Sequence, residues 1–162
     1  MWFVVLAGLL RAGAAVSAEA PLAHGYCFEQ AAQAYGVNAD VLRAIAWHES
    51  HFLPWIVHRN RDGSTDYGPM QINSRNLAFL GLDRRTVLAS CTNIMAGARL
   101  YLRMVRRYGN TWAAVGAYHS TTPPLQREYA EQVAGTFARI ELFRSWLRHA
   151  HYYLHSWWAA AA

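Results

Sequence analysis

The sequence predicts a mostly α-helical protein of the α+β class, in which a helical domain carries one small β-hairpin element. Two observations predict this fold. Apolar residues recur at helical spacing through most of the 162 residues. The dipeptide Asp62-Gly63 is typical of a hairpin turn between short strands. No internal repeat or low-complexity linker interrupts the chain, so its length predicts one globular domain.

Caps and stops locate the predicted elements. Gly36 ends the first helix, Asn38 caps the second, and Pro54 stops it. In order, the predictions are a helix over 27–36, a helix from Asn38 to Phe52, a two- or three-stranded β element around Asp62-Gly63, helical structure from Ser74, a short helix capped by Asp83, a long helix over 91–109, a short helix capped by Thr111, and a helix started by Pro123-Pro124.

The first residues have the pattern of an export signal. Residues 1–20 form an apolar run that ends in small residues, which predicts a signal peptide cleaved after Ala18 or Ala20. A membrane anchor is the alternative, but the uninterrupted apolar segment from Trp2 to Leu10 is too short to span a bilayer. We therefore expect a periplasmic protein with a main domain over 21–135 and a C-terminal amphipathic helix or tail over 136–162.

The cysteine count and the charge fit an exported protein. Cys27 and Cys91 are predicted to form a disulfide, because an even count in an exported chain favours pairing; two separate buried thiols are the alternative. The net charge is +5, and all fifteen basic residues are arginines. Since no nucleic-acid-binding motif is present, an anionic envelope polymer or membrane surface is the favoured partner. The arginines Arg99, Arg103 and Arg106 of the long helix are predicted to form a solvated face.

Glu49 has an unusual position on the second helix. At about 100° per residue, it lies within about 40° of Ile45 and about 20° of Leu42, inside the apolar face. Arg43 and Ser50 fall on the opposite side. Burial raises the pKa of a carboxyl, and an acid protonated near neutral pH is suited to general-acid catalysis. A structural glutamate paired with an arginine at the edge of the core is the alternative.

The histidines beside Glu49 do not predict a metal site. Zinc hydrolases place two histidines at positions i and i+4 with a glutamate between them. Here His48 and His51 are three residues apart and point away from Glu49. We therefore predict no metal ion and no other cofactor.

Three ordered motifs resemble those of a known family. "VLRAIAWHES", "DGSTDYGPMQINS" and "AVGAYHS" are similar to motifs of the family 1 lytic transglycosylases, which have a goose-lysozyme-like catalytic (SLT) domain. The chain resembles most the small specialised members that accompany secretion, conjugation and pilus machines. The similarity spans Tyr26 to Val133 and implies a lysozyme-like fold with a C-terminal helical extension.

The resemblance implies roles for individual residues. Glu49 corresponds to the essential acid/base of the family, and Tyr118 is expected to hydrogen-bond its carboxyl. The resemblance also implies that Cys27 and Cys91 are bridged. Two positions depart from the family pattern, since Pro69 replaces a leucine and His119 an asparagine. The implied substrate-binding residues are Ser50, Met70, Gln71, Asn73 and His119.

The implied reaction is cleavage of the β-1,4 bond between N-acetylmuramic acid and N-acetylglucosamine in peptidoglycan, with a 1,6-anhydro product. A lysozyme-like hydrolysis by Glu49 together with Asp66 is the alternative, because the β element would bring a second carboxylate to the sugar. In a third hypothesis, Asp66 only fixes its loop by bonding local backbone amides. A non-catalytic peptidoglycan-binding assembly factor also remains as a hypothesis.

The C-terminal segment continues past the motifs as an amphipathic helix, with a break expected at Gly135. Its terminal Trp157 and Trp158 predict contact with a membrane surface or with proteins of a secretion, conjugation or pilus system. His149, His151 and His155 are too weak a pattern to predict a metal site. The apolar stripe consists of Val133, Phe137, Ile140, Phe143, Leu147, Ala150, Leu154 and Trp157.

Overall fold

The computed structural model describes residues 26–160, and side chains as far as His151. The predicted signal peptide and the side chains of Trp157, Trp158, Leu154 and His155 lie outside the described part. The helices are α1 (Phe28–Tyr35), α2 (Ala39–Ser50), α3 (Leu77–Leu80), α4 (Ser90–Tyr108), α5 (Trp112–His119) and α6 (Pro123–Ala160), with 3-10 turns at Ser74–Asn76 and Thr86–Leu88. The strands are β1 (Val57–Arg59), β2 (Thr65–Tyr67) and β3 (Ile72–Asn73). The mostly helical fold with a small β element is confirmed.

The first two helices begin and end largely where the sequence predicts. Gly36 follows α1 in the left-handed conformation, at φ 63°. The Asn38 side chain accepts hydrogen bonds from the backbone N–H groups of Asp40 and Val41, which are otherwise unpaired donors at the start of α2. The predicted stop at Pro54 is wrong, because α2 ends at Ser50 and His51 already has a left-handed backbone, at φ 53°.

The three strands form one antiparallel sheet in the order β1-β2-β3. Asp66 lies at its centre and is paired with His58 on one side and Asn73 on the other. The hairpin between β1 and β2 is closed by Asp62, whose Oδ1 accepts hydrogen bonds from the backbone N–H and the hydroxyl of Ser64. The role of Asp62 as a turn residue is therefore confirmed.

The core forms where α2 meets the other long helices. Leu42 and Ile45 of α2 are fully buried, as is Ile94 of α4. Close helix packing requires glycine at Gly116, where a Cβ would lie 2.3 Å from the backbone oxygen of Gln126. This contact brings α5 against the start of α6, and α6 in turn packs along α2.

Helix α6 is continuous through Gly135, so the expected break is wrong. Its first half is part of the core, with Val133 fully buried and Ile140 packed against the core. Arg144 then donates to both carboxylate oxygens of Asp40, at 2.5 and 2.7 Å, which ties α6 to the start of α2. Around this ion pair several apolar side chains of α6 are exposed, namely Leu142, Phe143, Trp146 and Leu147.

Within the described residues, none of the helices combines the length and apolar character needed to cross a membrane.

A disulfide joins Cys27, directly before α1, to Cys91 in the first turn of α4, as predicted, with the Cα atoms 5.2 Å apart. We expect the double variant Cys27→Ser, Cys91→Ser to lose about 4 kcal/mol of unfolding free energy, because the bridge closes a long loop in the unfolded chain. Denaturant unfolding under non-reducing conditions measures this loss. Reduction of the wild-type protein should reproduce it, and equal unfolding midpoints of oxidised and reduced protein would contradict the expectation.

Candidate active site

The carboxyl of Glu49 lies at the junction of two cavities. The larger, of about 720 Å³, is bounded by α2, the sheet, α4 and α5. The smaller, of about 310 Å³, lies between α2, His119 and the start of α6. Glu49 and His119 line both cavities, and the two cavities are together called the cleft. The larger cavity is lined by Glu49, Ile56, Val57, His58, Asn60, Asp62, Ser64, Asp66, Gln71, Asn73, Asn76, Leu100, Arg103, Met104, Ala117, Tyr118 and His119.

The surroundings of Glu49 make its carboxyl a weaker acid than that of an exposed glutamate. Burial of the carboxyl raises its pKa from the usual 4.5 to about 7, because the ionised form loses hydration. The hydroxyl of Tyr129 donates a 2.6 Å hydrogen bond to Oε1 and opposes part of this rise. The negative charge of Asp66 adds to the rise. The predicted placement of Glu49 in the buried face is confirmed, and the carboxyl has no arginine partner among the described residues.

The hydrogen bond expected from Tyr118 to Glu49 comes instead from Tyr129. Tyr118 lines the cleft, but its hydroxyl donates to the backbone oxygen of Met70, at 2.8 Å. Tyr129 reaches Glu49 because α6 packs along α2 and presents this residue one turn before Val133. Tyr129 lies outside the three motifs. The signal that could have found it is an aromatic residue with a polar tip on the buried face of α6.

His119 covers the other side of Tyr129. Their rings stack in parallel with centroids 4.5 Å apart. His119 lines both cavities, as Glu49 does. This position suits the predicted contact of His119 with substrate, which remains a prediction.

Asp66 projects into the same cleft from the central strand. Its two oxygens accept hydrogen bonds from the side-chain amides of Asn60, at 2.8 Å, and Asn73, at 2.7 Å. Both amides also donate to the hydroxyl of Ser64. The third hypothesis expects local backbone amides as the partners of Asp66, whereas the structure shows side-chain amides, which fix the carboxylate at the cleft wall.

The loop between β2 and β3 places Gln71 at the cleft and keeps two predicted substrate contacts away from it. Met70 is fully buried, and a Cβ at Gly97 of α4 would lie 2.7 Å from its terminal methyl group. Ser50 is also buried, and its hydroxyl donates to the backbone oxygen of Pro69. Neither Met70 nor Ser50 reaches the cleft, contrary to expectation, because both support the loop from beneath.

Asn93 of α4 fixes this loop from the core. Its Oδ1 accepts from the backbone N–H of Met70 at 2.8 Å, and its amide donates to the backbone oxygens of Tyr67 and Val87. Gly68 passes so close that a Cβ would lie 2.6 Å from the Asn93 amide, and its φ of 68° also favours glycine. The predicted cleft positions of Gln71 and Asn73 depend on this support.

The part of the chain that the structure describes contains no cluster of three His, Cys, Asp or Glu side chains able to hold a metal ion. His48 is hydrogen-bonded to Thr136 of α6 at 2.9 Å, and His51 packs against Trp47. The two histidines therefore serve the packing around the end of α2.

Comparison with known proteins gives concordant matches. The family model described as "Transglycosylase SLT domain" matches residues 26–139. The invasion protein IagB of Salmonella typhimurium is 34% identical over 123 residues, covering 71% of this chain and 77% of IagB. The protein IpgF of Shigella sonnei is also 34% identical, covering 70% of this chain and 80% of IpgF.

A solved structure is similar in fold. An inactive mutant of the lytic transglycosylase Slt from Pseudomonas aeruginosa superposes with a TM-score of 0.59 at 18% identity. The match covers 72% of this chain and 24% of that one. At this identity the likeness shows the lysozyme-like fold alone.

We expect Glu49→Gln to make the protein more stable than the wild type at alkaline pH. In the wild type, the pKa of Glu49 is about 7 when folded and near 4.5 when unfolded. Stability is therefore lost as the pH rises from about 4.5 through about 7, and the variant avoids this loss of about 3 kcal/mol. Urea unfolding between pH 4 and 9 measures the difference.

The matched control is Glu128→Gln, which removes an exposed glutamate of α6. It should leave the pH profile of stability unchanged. If the difference in unfolding free energy between Glu49→Gln and the wild type is the same at pH 4 and pH 9, the pKa of Glu49 is not raised by the fold.

Proposed function

The chain belongs to the transglycosylase SLT domain family and is a peptidoglycan lytic transglycosylase, and we propose on this premise that Glu49 is its single general acid and base. The observation that carries the proposal is the Glu49 carboxyl, which lies in the cleft with a pKa of about 7. A carboxyl with this pKa holds a proton near neutral pH and can also give it up.

In the first step, protonated Glu49 gives its proton to the glycosidic oxygen between N-acetylmuramic acid and N-acetylglucosamine. The C1–O bond breaks, and positive charge develops on the muramyl ring. The family resemblance adds that the neighbouring N-acetyl group supports this charge. The departing sugar leaves with the proton, and Glu49 is left as a carboxylate.

In the second step, the same carboxylate takes the proton of the muramyl C6 hydroxyl while O6 forms a bond to C1. The product is a 1,6-anhydro end, no water is consumed, and Glu49 regains its proton. The hydrogen bond from Tyr129 keeps one carboxylate oxygen fixed, so that the other is available for transfer. One carboxylate then suffices, unlike the paired carboxylates of ordinary glycosidases.

A second candidate reaction is hydrolysis by Glu49 together with Asp66, as in a lysozyme-like muramidase. The observation that favours it is the position of Asp66, whose fixed carboxylate lines the cleft that contains Glu49. In this reaction Asp66 would stabilise the muramyl cation or activate a water molecule, and the product would have a reducing end.

We place the reaction in the periplasm, where the protein would make local openings in the cell wall for an envelope-spanning machine. The disulfide fits a compartment outside the cytosol. The similarity to IagB, which is named an invasion protein, supports a role beside a secretion machine. The resemblance carried by the sequence motifs extends this role to conjugation and pilus systems.

We expect Glu49→Gln to abolish release of glycan fragments from purified sacculi, because the N–H protons of the amide are too weakly acidic to be transferred. Mass spectrometry of the wild-type products separates the two reactions, since 1,6-anhydro ends mean transglycosylation and reducing ends mean hydrolysis. Asp66→Asn should leave the anhydro product unchanged if Glu49 acts alone.

The control for Glu49→Gln is its retained fold, measured by circular dichroism. A folded Glu49→Gln protein that still releases fragments would overturn the assignment of the acid. Reducing ends that disappear in Asp66→Asn would establish the muramidase reaction instead.

We propose that the part of α6 around residues 142–146 contacts a membrane surface and so localises the protein. Leu142, Phe143 and Trp146 are exposed there, at 71%, 59% and 63%, on the same side of the helix as the exposed cation Arg139. Apolar side chains next to an arginine suit an anionic membrane surface. This cation favours the lipid surface over contact with the machinery.

We expect the double variant Leu142→Ser, Trp146→Ser to bind phosphatidylglycerol vesicles at least about tenfold more weakly, because it removes two apolar side chains from the contact. Cleavage of isolated sacculi should be unchanged, since neither residue lines the cleft. Vesicle flotation and fragment release measure the two properties. Unchanged flotation would refute membrane contact by this face, and lost cleavage would show that these residues support the fold.

A further inference from the structure

The charges along the larger cavity are unevenly divided. Its lining includes three acidic residues, Glu49, Asp62 and Asp66, and one arginine, Arg103 of α4, among the described lining residues. Asp62 is already paired with Arg75 through a 2.8 Å ion pair. None of the ion pairs among the described residues includes Arg103, so its charge is available to a ligand.

The sequence predicts that Arg103 belongs to a solvated face of α4. In the structure its side chain is exposed but also contacts an aromatic ring. Its guanidinium carbon lies 5.3 Å from the centre of the exposed Phe79 ring, and that of Arg99 lies 4.5 Å from the same ring. Such contacts contribute about 0.5–1 kcal/mol each at exposed sites. Phe79 therefore restrains the Arg103 side chain at the cleft without occupying its hydrogen-bond donors.

A restrained guanidinium with free donors fits a planar anion. Its parallel N–H groups match the two oxygens of a carboxylate, and such charge-assisted pairs are stronger than bonds to neutral groups. The hydroxyl and acetamido groups of the glycan backbone are neutral. The lactyl carboxyl of muramic acid is bound as an amide wherever a stem peptide is attached, so the carboxylates of intact peptidoglycan belong to the stem peptides and to muramic acid residues that carry none.

We propose that Arg103 is a specificity-determining residue that binds a carboxylate on the muramyl side chain of the substrate. The inference rests on the proposed function, since it requires a muramyl strand in the cleft. It assigns the arginine side of the cleft to the acidic appendage of the strand and leaves the acidic side, with Glu49 and Asp66, to the sugar ring. The enzyme would thereby distinguish carboxylate-bearing strands from neutral glycans.

Arg106 offers a matched control on the same helix. It is exposed and carries the same charge, but it does not line the cleft. Replacing either arginine by glutamine changes the net charge equally. A difference between the two variants therefore reports a local contact rather than general attraction to an anionic wall.

The test compares wild type, Arg103→Gln and Arg106→Gln on three substrates: intact sacculi, sacculi whose carboxylates have been converted to amides, and strands from which an amidase has removed the stem peptides. We expect Arg103→Gln to lower the initial rate on intact sacculi about tenfold, as for loss of one charge-assisted hydrogen-bond pair. On amidated sacculi it should cleave as fast as the wild type, and Arg106→Gln should show no such selectivity.

The stripped strands identify the carboxylate. A loss confined to intact sacculi assigns a carboxylate of the stem peptide. The amidase frees the lactyl carboxylate, so a loss that persists on the stripped strands shows that Arg103 also binds this group; both outcomes support the inference. An equal loss on intact and amidated sacculi, or a matching loss in Arg106→Gln, would overturn it. If the wild type cleaves none of the substrates, the proposed function itself is refuted, and the inference falls with it.

Discussion

The hydrogen bond from Tyr129 to Glu49 is the contact through which the helical core determines the site. It forms only if α6 lies along α2, because the two residues come from these helices and are 80 positions apart. The packing of α6 in turn depends on the close approach of α5 at Gly116 and on the ion pair of Arg144 with Asp40. A shift of α6 would leave Glu49 buried without its polar partner.

The opposite wall of the cleft depends on buried polar bonds rather than on helix packing. Asn93 satisfies three backbone groups around the loop that follows β2, and none of the buried side-chain nitrogen or oxygen atoms of the described residues lacks a partner. Because an unpaired buried polar group costs about 1–3 kcal/mol, this set of bonds favours one loop conformation. Gln71 can therefore adopt its strained backbone, at φ 45°, and reach the cleft.

The sequence predicts those features that local pattern determines. Asn38 as a cap, the hairpin at Asp62 and the buried direction of Glu49 each follow from residues close in the chain. Apart from the disulfide, which the cysteine count predicts, several features set by contacts between distant elements are missed. Tyr129 carries no motif of its own, so its bond to Glu49 emerges only when α6 packs. Met70 lies in a motif but is buried, because Gly97 of α4 leaves space for it. Motif membership therefore did not distinguish a residue that lines the cleft from one that supports it.

The pKa of Glu49 is set by two effects that raise it and one that lowers it, and their balance bears on how one carboxylate can act twice. Burial alone would favour the protonated acid, so that giving up the proton would be costly and taking it back would be easy. Tyr129 stabilises that carboxylate by donating a hydrogen bond, while the charge of Asp66 disfavours it. With a pKa of about 7, neither protonation state is strongly preferred near neutral pH. Donating a proton and taking one back then cost similar free energies, which a single acid and base requires.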